Sequence, residues 1–318
     1  MTVTVSPSQR QPPEISPEAA ARPRAVAWRA GLRRPLRRVV LVAVLLAVLV
    51  GAWELYKVIG KASDGDIPFT PWGLPVNPDD TAMPHVWSMI GALFDPARRG
   101  GDEALGIILL RAAGFTFRSA FVGFLGGTVL GLALATLFLR FVVLRRGLMP
   151  YVVASQTVPL IAIAPMVVSW AGTNGWPRWT AVAIISGYLT FFPVTVNTLR
   201  GLTSPAATAL ELMRSYAASD TQVLLRVRLP AALPYIFTAL RVGATASVVG
   251  ALIGELPAGL SEGLGRALLD GAQFYITRPT LLYAAVIVTA ALGLAFAGVV
   301  GLVERLVLPI RPEDRAHE

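Results

Sequence analysis

Long apolar runs alternate along this chain with short polar stretches that carry arginine. The apolar runs fall at 39–59, 115–139, 149–170, 180–199, 236–256 and 281–303. About 20 helical residues at a rise of roughly 1.5 Å cross a hydrocarbon core of roughly 30 Å. The pattern therefore predicts an all-α membrane protein with about six transmembrane helices. Helices are the expected element because each one satisfies its own backbone polar groups in lipid. The polar stretches divide the rest: a basic, unstructured tail over 1–38, a loop over 60–110, a helical core over 111–305 and a second tail over 306–318. Within the first loop, 83–94 (MPHVWSMIGALF) reads as a short interfacial amphipathic helix, with Asp79, Asp80 and Thr81 placed to cap it.

Composition supports the membrane reading. Hydrophobic residues make up 54% and charged residues 15% of the 318, against about 25% charged in a soluble domain. There is no cysteine, and His85 and His317 are the only histidines, so neither a disulfide framework nor a metal centre is expected. The lack of intramembrane His and of paired carboxylates likewise speaks against a membrane-embedded enzyme.

The net charge of +9 reads as a topology signal. Eighteen basic residues lie in 1–38, 140–148, 200–235 and 305–318, and eight lie in or beside the remaining loops. Short basic loops stay on the cytoplasmic side, so both termini are expected in the cytoplasm of a bacterial inner membrane. Anionic lipid is then the neighbour of the arginines. Nucleic-acid binding is not expected, because no compact basic domain is left to carry it.

Four features inside this frame bear on chemistry. Residues 211–234, ELMRSYAASDTQVLLRVRLPAALP, form a polar island between the fourth and fifth runs. It reads as a helix over 206–216, a turn over 217–220 with Ser219 or Asp220 as cap, and a second helix over 221–228. Pro230 and Pro234 bracket the start of the fifth span. The third run is interrupted by Pro159 and Pro165. Proline breaks persist in a membrane where protein or a watery cavity satisfies the freed carbonyls. Gln156 and Thr157 are therefore candidates for a translocation path, against a reading as packing groups, with Asn197 a weaker candidate. Glu255 is either a path residue or an interfacial carboxylate bonded to a neighbouring loop. Finally, Gly123, Gly127 and Gly131 form a small-residue stripe that predicts a close helix–helix contact.

The polar island resembles the coupling-helix motif of ABC-type importer permeases, roughly E-A-A-x-x-x-G, nine residues, then I/V-x-L-P. Glu211 matches the glutamate, Ala217 stands at the glycine, and Val227, Leu229 and Pro230 match the close of the motif. Leu212 and Met213 replace the two alanines. SQTVPLIAIAPMVVSWAG (155–172), FFPVTVNTLRGL (191–202) and GELPAGLSEGLG (254–265) are similar to their counterparts in the nitrate/sulfonate/taurine branch. The resemblance covers about residues 110–305 in the right order. It implies a transport subunit for a small polar solute, nitrate-like, sulfonate-like or a pyrimidine-type precursor. It also implies a second permease copy, a pair of cytoplasmic ATPase subunits and an extracytoplasmic solute-binding protein. Glu211, Arg214, Ala217, Ala218, Arg226, Leu229 and Pro230 would then form the ATPase-coupling surface. The chain has no G-x-x-x-x-G-K-[ST] phosphate loop, so it is expected to bind no cofactor itself, with ATP and Mg used by the partner. The competing class is a stand-alone secondary transporter, for which Glu255 is the one candidate relay group.

Overall fold

The computed structural model describes residues 25–63, 78–97, 102–260 and 262–308. The chain divides into two units, 1–78 and 79–318. The first holds one helix, α1 (Ala25–Ala62), apolar enough to cross a membrane from Val40 onward. The tail expected over 1–38 is thus helical from Ala25, in a segment rich in the strong helix formers Ala, Leu and Arg. The rest of that tail, residues 64–77 of the first loop and the last ten residues lie outside the described residues.

The second unit runs α2 (Val86–Gly91), α3 (Leu105–Arg140), α4 (Val142–Ala154), a 3₁₀ turn (Ser155–Thr157), α5 (Leu160–Thr173), α6 (Arg178–Leu202), α7 (Ala207–Ser215), α8 (Asp220–Val223), a π turn (Leu224–Arg228), α9 (Leu229–Glu255), α10 (Leu264–Gln273) and α11 (Pro279–Val307). No β-strand occurs among the described residues. Over both units, five helices are long and apolar enough to span a membrane, and six spans result if the bent pair α4–α5 counts as one.

Helix α6 is the spine, packed between α3 and α9. The contact is made close by small residues on both sides. A methyl group at Gly123 would lie 2.4 Å from the Ala183 carbonyl oxygen, one at Gly127 2.5 Å from that of Gly187, and one at Gly131 2.8 Å from Val194 Cβ. The predicted stripe is therefore the α3–α6 seam. On the other flank, Gly250 meets the Ser186 backbone and Gly254 the Val182 backbone. The Ser186 hydroxyl donates to the Ser247 carbonyl at 2.6 Å and the Thr190 hydroxyl reaches the Gly243 carbonyl at 3.4 Å, so buried hydrogen bonds cross the α6–α9 seam. Around this spine, Phe296 of α11 meets Phe117 and Phe124 of α3 edge to face, at 5.2 and 5.1 Å between centroids.

Polar contacts sort to the two ends of the bundle. Arg140 pairs with Asp220, and Arg228 donates to the Leu202 carbonyl at 2.8 Å, at the Arg-rich end. At the other end Arg178 donates to the Gly259 carbonyl at 3.0 Å and Arg278 to the Ala97 carbonyl at 2.5 Å.

Two sequence expectations need correction, and a third is met. The helix expected over 83–94 shortens to α2, and its cap is the extended residue His85 with no side-chain bond. Asp79 instead closes a separate turn through Met83 N–H at 2.7 Å. Pro84 separates that turn from α2, because the residue before a proline is driven out of the helical region. The second span starts at Leu105, ten residues before its apolar run. Arg111 and Arg118 interrupt the run without ending the helix: Arg111 pairs with Glu103 at 2.6 Å and Arg118 lies 4.7 Å over the Trp179 ring. The third span is broken at Pro159, as its prolines led one to expect: α4 and α5 meet at 98°.

Candidate functional site

The polar island folds into an elbow at the Arg-rich end. Helix α7 ends on Tyr216, and Ala217 follows with φ of 52°, the only non-glycine residue with positive φ among those described. The Ala217 N–H donates to the Arg214 carbonyl at 2.9 Å and the Ala218 N–H to the Met213 carbonyl at 3.0 Å. These two bonds are a Schellman cap, which satisfies the last carbonyls of a helix by a left-handed residue. Ala217 therefore takes the conformation a glycine would supply, and the motif's turn is kept at the steric cost of one Cβ.

The second arm starts with a reciprocal cap. The Ser219 hydroxyl accepts Gln222 N–H at 3.3 Å, and the Gln222 side chain accepts Ser219 N–H at 2.9 Å. From Asp220 the chain is helical through to Glu255. The second helix expected over 221–228 and the fifth span are thus one helix, widened by a π turn at Leu224–Arg228. That turn lies immediately before Pro230, whose ring would clash with the Arg226 carbonyl in an α turn and which offers it no N–H. The elbow presents exposed Glu211, Arg214 and Arg226 around exposed Leu212, Tyr216 and Leu225. Ala218 is half-buried beneath the turn, and Leu229 and Pro230 begin α9. Sequence inspection did not single out the clamp that fixes the elbow to the bundle: Arg140 at the end of α3 pairs with Asp220. Arg228 ties the π turn to the end of α6.

The second candidate region is the break between α4 and α5. Val158 is extended ahead of Pro159, as the residue before a proline must be. Pro159 has no N–H for the Ser155 carbonyl. The hydroxyl of Tyr188, near the middle of α6, donates to that carbonyl instead. The break therefore sits at mid-depth of the bundle. Gln156, Thr157 and Val158 are exposed there, and the Thr157 hydroxyl donates back to the Ala154 carbonyl at 2.8 Å.

Asn197 lies farther along α6, half-buried, with its amide donating to the Pro193 carbonyl at 2.9 Å. Glu255 lies at the opposite end of α9 and is 1% exposed. Its Oε2 accepts Gly265 N–H at 2.7 Å, while Thr116 Oγ1 of α3 accepts Leu264 N–H at 2.8 Å. Two side chains from two spans thus bind the first amides of α10. Gly263 (φ 107°) and Gly265 make room, since a methyl on either would lie 2.6 and 2.8 Å from Glu255 atoms. Gln156 and Thr157 are neighbours at the break; Asn197 and Glu255 are not brought to them. One further pair was not anticipated. Arg241 of α9 binds Glu304 of α11 at 2.5 Å.

Residues 127–309 match the family described as the binding-protein-dependent transport system inner membrane component. The chain belongs to this family. It is an ABC importer permease, a multi-pass inner-membrane protein of a kind that works with an ATPase and a solute-binding protein. Among relatives of this permease, a formylaminopyrimidine transport permease protein, ThiX, of Halalkalibacterium halodurans is 34% identical over 200 residues, covering 61% of this chain and 74% of that one. A nitrate import permease protein, NrtB, of Leptolyngbya laminosa is 26% identical over 276 residues, covering 87% of this chain and 90% of its own. In fold, the permease is similar to a chain of the MetNI methionine ABC transporter in an inward-facing conformation. The TM-score is 0.53 at 20% identity, covering 63% of this chain and 96% of that one.

Proposed function

We propose that this permease conducts a small polar solute across the membrane, driven through its elbow by a separate ATPase pair. The supporting observation is the elbow itself. Caps on both arms, the Arg140–Asp220 clamp and the Arg228 tie hold it rigid, while Leu212, Tyr216 and Leu225 stay exposed in a charged rim. A rigid apolar knob with a polar rim has the make-up of a docking surface. Glu211, Arg214, Ala217, Ala218, Arg226, Leu229 and Pro230 belong to that surface or to the backbone that shapes it. In this reading the Arg-rich end and both termini are cytoplasmic. The chain binds no nucleotide, and the partner uses ATP with Mg.

The broken helix supplies the path. Irregular backbone at membrane depth is stable only against protein or a water-filled cavity. The break is exposed on this chain, so a second copy and a polar conduit cover it, with Gln156 and Thr157 facing the solute. Asn197 and Glu255 are reserved for secondary roles, the latter through α10 on the side where the solute-binding protein docks. The names of the relatives, which run from nitrate to a formylaminopyrimidine, support a small polar solute.

The test is affinity purification from the native membrane under mild conditions, followed by mass spectrometry. A stoichiometric soluble ATPase that is lost, or whose stimulated hydrolysis is lost, in Glu211→Ala and Arg226→Glu is the expected result. Recovery of the chain alone, or normal stimulation in both variants, would overturn the docking role of the elbow.

A further inference from the structure

Behind the elbow, between its two arms and the end of α3, lies a cavity of about 470 Å³. Three arginines line it: Arg140 from α3, Arg214 from α7 and Arg228 from the π turn. Asp220 is the one acidic residue in the lining, and it is already paired with Arg140. Arg228 spends one N–H on the Leu202 carbonyl, and Arg214 is exposed. Glu211, one turn before Arg214, does not line the cavity. The cavity therefore carries an excess of positive charge from three separate elements, with Thr221 adding a hydroxyl. Its level is also informative. It lies at the Arg-rich end of the bundle, where the apolar run of α3 ends on Arg140, the end the basic loops assign to the anionic membrane face.

From this we infer that the cavity is an anion site for a phosphate-bearing ligand, a lipid headgroup or free phosphate. Planar guanidinium forks from three directions match the tetrahedral oxygens of a phosphate. A bound phosphate would tie α3, α7 and the π turn together and brace the elbow against the bundle. This inference rests on the cavity alone. A chain that bound phosphate but no ATPase would retain it and lose the docking reading.

The test uses the full chain, with Arg214→Gln and Arg228→Gln as cavity variants and Arg200→Gln as a control. Arg200 is exposed at the same end and does not line the cavity. One arm reconstitutes the protein in nanodiscs of phosphatidylglycerol or phosphatidylcholine in phosphate-free buffer and counts retained lipid by native mass spectrometry. The other titrates delipidated protein in detergent with inorganic phosphate and follows the unfolding midpoint. The headgroup form predicts preferential retention of phosphatidylglycerol, weakened about tenfold or more in Arg214→Gln and kept in Arg200→Gln. The free-phosphate form predicts the same ranking in the midpoint shift, with no preference between lipids. Equal losses in Arg214→Gln and Arg200→Gln, or no preference and no shift in the wild type, would overturn the site. Arg228→Gln, which also gives up the Leu202 bond, should follow Arg214→Gln in either arm.

Discussion

The α3–α6 seam makes a sharp prediction from two glycines one residue apart. A methyl group at Gly127 would lie 2.5 Å from the Gly187 carbonyl oxygen and 2.7 Å from Thr190 Cβ, both rigid parts of α6. Ordinary contact begins near 3.4 Å, so Gly127→Ala must open the seam by about 0.9 Å. A gap of roughly 0.5–1 Å forfeits a quarter to a half of each dispersion contact along the seam. Overpacking of this kind costs about 1–3 kcal/mol. At Gly126 nothing lies within 4 Å of the added methyl, and Gly→Ala in a helix gains up to about 1 kcal/mol from propensity. The propensity gain is common to both helical sites, so the two variants should differ by the overpacking cost of about 1–3 kcal/mol, on the order of 2–10 °C in unfolding midpoint. The measurement is thermal unfolding of the purified permease in one detergent, with both variants run beside the wild type. Equal midpoints for Gly127→Ala and Gly126→Ala would refute the claim that this seam is set by backbone approach.

Other outcomes follow from the same reasoning. Ala217→Gly relieves a left-handed strain of about 1–2 kcal/mol and returns about 0.4–1 kcal/mol to unfolded-chain entropy. Hydrogen exchange over residues 207–223 should slow by a few-fold, and faster exchange would contradict the Schellman turn. Tyr188→Phe leaves the Ser155 carbonyl with only the long 3.4 Å bond from Val158 N–H. A loss of about 1–3 kcal/mol is expected, seen as faster exchange around 155–160; unchanged exchange there would show that the break does not depend on Tyr188. Arg241→Gln and Glu304→Gln should each destabilise the α9–α11 contact, with a double-mutant coupling of about 1 kcal/mol for this half-exposed pair. Additive effects would mean that the two side chains act independently.

The sequence by itself determined the class of fold, the near-complete set of spans and the position of the elbow. Each rests on a local pattern: the length of an apolar run, a Ser-Asp pair able to cap, a proline, a glycine every fourth residue. The stripe at Gly123, Gly127 and Gly131 is legible because helical periodicity alone puts those residues on one face. A cap at Ser219 or Asp220 is legible because a capping bond spans only three residues, and the folded turn gives it to Ser219. The tertiary structure decided what sequence spacing cannot encode. Arg140 meets Asp220 across 80 residues, and Thr116 meets Leu264 across 148. Arg241 meets Glu304 only because α11 packs on α9. Glu255 was legible as an unusual carboxylate, but its bond to the start of α10 depends on where a glycine-rich loop folds back. The bend between α4 and α5 shows the division most directly. Pro159 announces that a hydrogen bond is missing, and only the packing of α6 shows that the Tyr188 hydroxyl replaces it.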